Sequence, residues 1–191
     1  MRSLLAALLL RPNYPVPVDQ LTAALWEQEP PARARGVIQG HVSRLRTLLI
    51  SADAGAYGVE LITQGTAYVL RMPKALLDAH RFEGLVAQAR DQRGPAEAVT
   101  VYREALSLWR GPALAGVCPS PPLQAAVQAL EELRLASVEQ LAAGYAQLGE
   151  YARAAAVLRA APGSGVGERR GRAVPVARRR PPAPCGAGQR A

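Results

Sequence analysis

The stretch GVIQGHVSRLRTLL, residues 36–49, decides how the rest of the chain is read. As a helix it puts Ile38, Val42, Leu45 and Leu49 on one stripe, at spacings of four, three and four. Gly36, Gly40, Ser43 and Thr47 fall on the opposite side, with Gln39, Arg44 and Arg46 along the flanks. One face is built for a core. The other is slim and polar, with no side chain long enough to hold a neighbouring surface away. Glu, Lys or Ala ordinarily fill exposed helix positions, and each glycine costs about 1 kcal/mol against alanine.

On either side of this helix the pattern continues in short elements. Residues 2–11 predict an apolar helix stopped by Pro12. A second helix starts near Val18, with Asp19 in the first turn, where the helix dipole favours an acid. It points Leu21, Ala24 and Leu25 inward. EQEPPARAR is a connection, because Pro30 and Pro31 forbid helix, and the third helix runs from about Ala34 to Ile50. SADAGAYG is a loop. VELIT, QGT and AYVLRM then predict a β-hairpin, β-branched and aromatic residues flanking a glycine turn. Three helices followed by a hairpin wing form a winged helix-turn-helix, residues 1–72.

Pro73 and Lys74 mark the next boundary, and residues 76–161 are almost wholly helical by pattern. Leu141, Ala142, Tyr145, Gly149, Tyr151, Ala154, Leu158 and Ala161 have the spacing of a tetratricopeptide helix pair. The same template slid back meets Phe82, Leu85, Ala98, Tyr102 and Ala105. Small residues let antiparallel helices approach, and aromatics fill the groove between them. The expected fold is therefore mainly α: a winged helix with a C-terminal hairpin wing, then a tetratricopeptide-like helical domain. Residues 162–191 lose all apolar periodicity and are Arg, Pro, Gly and Ala-rich, a composition that predicts disorder. Wrong-frame reading of high-GC codons yields those same residues, and an out-of-frame origin is favoured over a functional tail.

The formal net charge of +8 is unevenly placed. Residues 1–72 contribute +2, residues 73–161 are balanced, and residues 162–191 contribute +6. Overall charge is thus poor evidence for nucleic-acid binding. Cys118 and Cys185 are too few for a disulfide framework or metal site, which fits a reduced cytoplasmic compartment. MRSLLAALLL looks like a leader, but Arg11-Pro12-Asn13 stands where a small-residue cleavage site belongs. No apolar run is long enough to span a membrane.

LTAALWEQEPPARARGVIQGHVSRLRTLL, followed by LITQGTAYVLRM, LDAHRFEGLVAQAR and YREALSLWRGPALAGV, resembles the Streptomyces antibiotic regulatory protein family over residues 2 to about 161. Such activators join an OmpR-like winged helix to a bacterial transcriptional activator domain. Three departures stand out. The family's small sheet before the first helix is absent, and the array stops early, so the chain reads as truncated at both ends. In the wing, Gln64-Gly65-Thr66-Ala67-Tyr68 replaces the family's second glycine, which weakens a phosphate contact.

The resemblance implies that helix 34–50 is the recognition helix in the major groove. The residues agree, since a groove about 12 Å wide admits a helix whose outward face is slim. Gln39 offers donor and acceptor to an adenine edge, and Arg44 or Arg46 a bidentate pair to guanine. Arg35, Ser43 and Thr47 suit phosphates, which position without reading sequence. Gln64 and Thr66 belong at the wing tip, near the backbone or minor groove. His41 reads as a boundary residue, and Trp26 and Trp109 as core anchors. The expected partners are double-stranded promoter DNA in direct repeats, RNA polymerase, and a second copy on DNA. No cofactor is expected. With two histidines, no phosphate loop and no metal-ligand cluster, an enzyme is disfavoured. The alternative is a helical interaction module whose winged helix no longer binds DNA.

Overall fold

The computed structural model describes residues 1–26, 29–117 and 120–161. The order is α1 (Arg2–Leu9), β1 (Val16–Pro17), α2 (Val18–Leu25), α3 (Ala34–Ser51), a 3-10 turn (Ala54–Tyr57), β2 (Glu60–Gln64) and β3 (Ala67–Arg71). A second 3-10 turn (Lys74–Leu76) precedes α4 (Asp78–Arg90), α5 (Pro95–Ser107), α6 (Pro121–Gln147) and α7 (Tyr151–Ala160). The protein is mainly helical, a winged helix followed by a helical array. No helix among the described residues is long and apolar enough to cross a membrane.

The first core forms where the apolar stripes of α1, α2 and α3 meet the sheet. Leu4 and Leu8 of α1, Leu21 of α2, and Ile38, Val42 and Leu45 of α3 are all buried, with Leu61 and Leu70 from the strands. Burying one such side chain stabilises by about 1.5–3 kcal/mol. Leu25, Trp26 and Leu49 are partly buried against the same cluster. The strand order is β1-β3-β2, all antiparallel. The hairpin is the one the sequence predicts. Strand β1 is not, because two residues carry no alternation and one of them is Pro17, which sheets tolerate at an edge.

In the second core, α4 to α7 pack as successive neighbours, with Phe82, Val86, Val99, Tyr102, Ala105, Leu141, Ala142, Tyr145 and Ala154 buried. The repeat positions are therefore largely inward. Tyr151 and Leu158 are exposed, since among the described residues no further helix follows α7. Gly144 permits the close approach of α6 to α5: a Cβ there meets Val99 Cγ2 at 2.6 Å. Gly149, at φ 77°, ends α6. Its N–H bonds to the Ala146 carbonyl at 3.0 Å and the Glu150 N–H to the Tyr145 carbonyl at 2.9 Å, which satisfies the last turn and reverses the chain into α7.

The two cores are stitched together. Helix α6 has 27 residues, about 40 Å at 1.5 Å each, which outruns its own domain. Leu123 in its first turn is 2% exposed and lies in the winged-helix core, joined by Leu114 and Val117. Trp109, just before this segment, packs edge-on to Phe82 at 5.3 Å, and the Arg134 guanidinium lies 4.6 Å over its ring. Glu131 accepts from the Ala113 N–H at 3.0 Å and pairs with Arg134. The LWRGPAL motif is thus the seam between the halves. Cys118 and residues 162–191, with the expectations attached to them, lie outside the described residues.

Candidate nucleic-acid interface

Helix α3 carries the candidate surface. Its buried stripe turns Gly36, Gly40, Ser43 and Thr47 outward, and all four are exposed, as are Arg35, Gln39 and Arg44. A Cβ placed on Gly36 or on Gly40 meets nothing within 4 Å. The fold itself has no use for either glycine. Among the described residues neither Arg35 nor Arg44 forms an ion pair. The Thr47 hydroxyl donates to the Ser43 carbonyl at 3.2 Å, which leaves its lone pairs outward.

Arg46 departs from the sequence reading. Its Nε donates to the Leu61 carbonyl at 2.9 Å and its Nη2 to the Thr63 hydroxyl at 2.8 Å. The Nε–Nη2 edge of the guanidinium is committed to β2, whereas Arg44 makes no such contact among the described residues. The reason is geometric. Arg46 sits between the outward face and the buried stripe, near enough to the wing for a long side chain to reach it.

The wing turn is Gly65-Thr66, with Gly65 at φ 57° on the left-handed side a two-residue hairpin turn requires. Gln64 and Thr66 are exposed there, as expected. The Thr66 carbonyl accepts the Val18 N–H at 3.1 Å, so the turn is pinned to the start of α2. Thr63, held by Arg46, immediately precedes Gln64. Helix α3 and the wing turn are therefore linked through the Arg46–Thr63 hydrogen bond.

His41 is half-buried beside the stripe. Burial first, then the charges of the amino terminus and Arg44, hold its pKa below the ordinary 6.5. The imidazole is thereby kept neutral near neutral pH.

Four residues escaped the sequence reading. Thr63 and Leu123 are ordinary strand and helix residues whose partners lie far along the chain. Asn13 has φ 69° and sits beside the end of β3, a conformation its type tolerates and a pattern search passes over. Ile50, 80% exposed, follows Thr47 by three and so closes the outward face with an apolar group; helical spacing alone reveals it.

Comparison with known proteins agrees with this architecture. Residues 77–163 match the bacterial transcriptional activator domain. The chain is 37% identical over 142 residues to the regulatory protein AfsR of Streptomyces coelicolor, covering 72% of this chain and 14% of AfsR. It is 31% identical over 162 residues to the transcriptional regulator RedD of the same species, covering 83% of this chain and 46% of RedD. Mycobacterium tuberculosis EmbR, solved with a low-affinity phosphopeptide, superposes with a TM-score of 0.72 at 32% identity, over 83% of this chain and 42% of EmbR. The chain spans less than half the length of each of these relatives. They are named as regulators, not enzymes. A winged helix joined to a bacterial transcriptional activator domain, with AfsR and RedD as relatives, makes the chain similar to the Streptomyces antibiotic regulatory protein family of transcriptional regulators.

Proposed function

We propose that the chain is a sequence-specific DNA-binding transcriptional activator that reads promoter direct repeats with α3 and recruits RNA polymerase. The observation that carries this reading is the empty space over Gly36 and Gly40. Two glycines in the first half of α3 cost up to about 1 kcal/mol each, and no neighbour among the described residues requires them. A helix seated in a groove does require them. Gln39 and Arg44 then face base edges, Arg35, Ser43 and Thr47 face phosphates, and Gln64 and Thr66 approach the adjacent backbone.

The +2 balance of residues 1–72 limits how many phosphates one copy neutralises. Affinity is then modest and its salt dependence shallow, and paired binding on repeated sites raises it through effective concentration. The helical array is the surface for self-association and for polymerase. The protein acts where its DNA is, in the bacterial cytoplasm.

The test is fluorescence anisotropy on direct-repeat promoter DNA and on scrambled duplex over a range of salt, with the full chain and with the chain ending at residue 161. A preference for the repeats that is lost on Gln39→Ala or Arg44→Ala supports the reading. Binding that ignores sequence and needs residues 162–191 refutes it, and leaves the helical interaction module as the working part.

A further inference from the structure

Arg46 does something other than read. We infer that it is a positioning residue that fixes the span between the reading helix and the wing turn, and so sets which DNA sites fit both. The inference rests on the DNA-reading role proposed for α3.

Gln64 pairs with Ala67 across a two-residue turn, so Gln64–Ala67 and Ile62–Val69 are the hydrogen-bonded pairs. Leu61 and Thr63 fall in the alternate pairs, and their backbone groups face away from β3. Strand β2 is also the edge of the sheet. The Leu61 carbonyl therefore looks outward with no strand to meet it, and Arg46 Nε supplies the donor at 2.9 Å. Nη2 adds the Thr63 hydroxyl at 2.8 Å. A planar guanidinium that donates along one edge to two points on one strand restrains rotation as well as distance. Lysine has one rotatable head and no such fork.

Both ends of this tie are rigid. Leu61 is buried in the first core, and Arg46 lies one position after Leu45 of the buried stripe. One residue beyond Thr63 is Gln64, at the wing turn, and two residues before Arg46 is Arg44, free on the exposed side. Successive helical residues turn by about 100°, so Arg44 and Arg46 project about 200° apart. One is available to DNA while the other holds the wing.

The experiment uses the full chain and a duplex enriched by the wild-type protein from a randomised library, with a scrambled duplex as control. Binding is measured across salt for the wild type, Arg46→Lys, Thr63→Val, Thr63→Ser and the Arg46→Lys/Thr63→Val pair. A double-mutant cycle in urea unfolding runs in parallel. Arg46→Lys and Thr63→Val are each expected to weaken the enriched duplex about tenfold, with little change on the scrambled one, and the pair to be no worse than either alone. Thr63→Ser, which keeps the hydroxyl, restores binding. The slope of log affinity against log salt stays unchanged, whereas Arg44→Ala flattens it by about 0.9 if that residue meets a phosphate and leaves it intact if it reads a base.

The inference is overturned if Arg46→Lys binds like wild type while Arg46→Gln flattens the salt slope by about 0.9, since Arg46 is then a phosphate contact. Additive losses from Arg46→Lys and Thr63→Val, or loss of coupling in binding while the unfolding cycle retains it, also overturn it and leave the DNA-reading role standing. If the wild type enriches no duplex, both fall, and the unfolding cycle alone identifies the tie as a structural contact.

Discussion

Asn13 and Met72 exchange two hydrogen bonds of 2.9 Å across 59 residues of chain. The Asn13 side-chain amide donates to the Met72 carbonyl, and its oxygen accepts the Met72 N–H. The Asn13 backbone N–H reaches the Leu70 carbonyl at 2.9 Å. The amide therefore acts as an extra sheet residue just before β1, and locks the end of β3 to the chain leaving α1. Replacement by Leu leaves Met72 without these partners and places a bulky residue at φ 69°. The expected loss is about 2 kcal/mol in urea unfolding, with Asn13→Asp, which keeps the acceptor, falling between.

Leu123 tests the stitching of the two cores. It belongs by sequence to the array and by packing to the winged helix. Leu123→Ala should destabilise by about 2–4 kcal/mol, because the removed methyls leave a cavity that rigid neighbours cannot fill. Residues 1–72 made alone should unfold less cooperatively than the full chain. Equal denaturant midpoints for Leu123→Ala and wild type would contradict the shared core.

Three glycines separate folding from recognition. Gly36→Ala and Gly40→Ala enter open space, so each should stabilise the fold by about 1 kcal/mol. On the proposed reading each also weakens DNA binding, because the methyl group meets the groove. Stabilisation without any loss of binding would remove the glycines from the interface. Gly144→Ala should behave oppositely, costing about 1–3 kcal/mol against Val99, with partial recovery in Gly144→Ala/Val99→Ala. Differential scanning calorimetry and anisotropy on the same samples distinguish the two classes.

His41 gives a pH dependence of definite sign. Its folded pKa lies below 6.5, so the unfolded chain binds the extra proton more readily. The stabilising contribution is complete above the unfolded value and is lost as pH falls towards the lower folded value. Urea midpoints should therefore decline below about pH 6.5, with His41→Gln showing a smaller decline over that window. A steeper decline in His41→Gln would reverse the assignment.

The sequence by itself determined the outline of this protein. The stripe Ile38, Val42, Leu45 and Leu49 placed α3 and its outward face, the glycine turn at Gly65 placed the wing, and Phe82, Tyr102 and Tyr145 placed the array. These signals are local: helical and strand periods, turn chemistry and the spacing of small and aromatic residues lie within a few residues of one another. Tertiary structure decided what depends on distant neighbours. It made β1 a strand by pairing Val16 with Tyr68, carried Leu123 into the other core, and bound Arg46 to β2 through Leu61 and Thr63. An outward-facing edge carbonyl at Leu61 and a long side chain at Arg46 lie 15 residues apart, and nothing in either residue's own stretch announces the other. Only the folded helix and strand bring donor and acceptor within 2.9 Å.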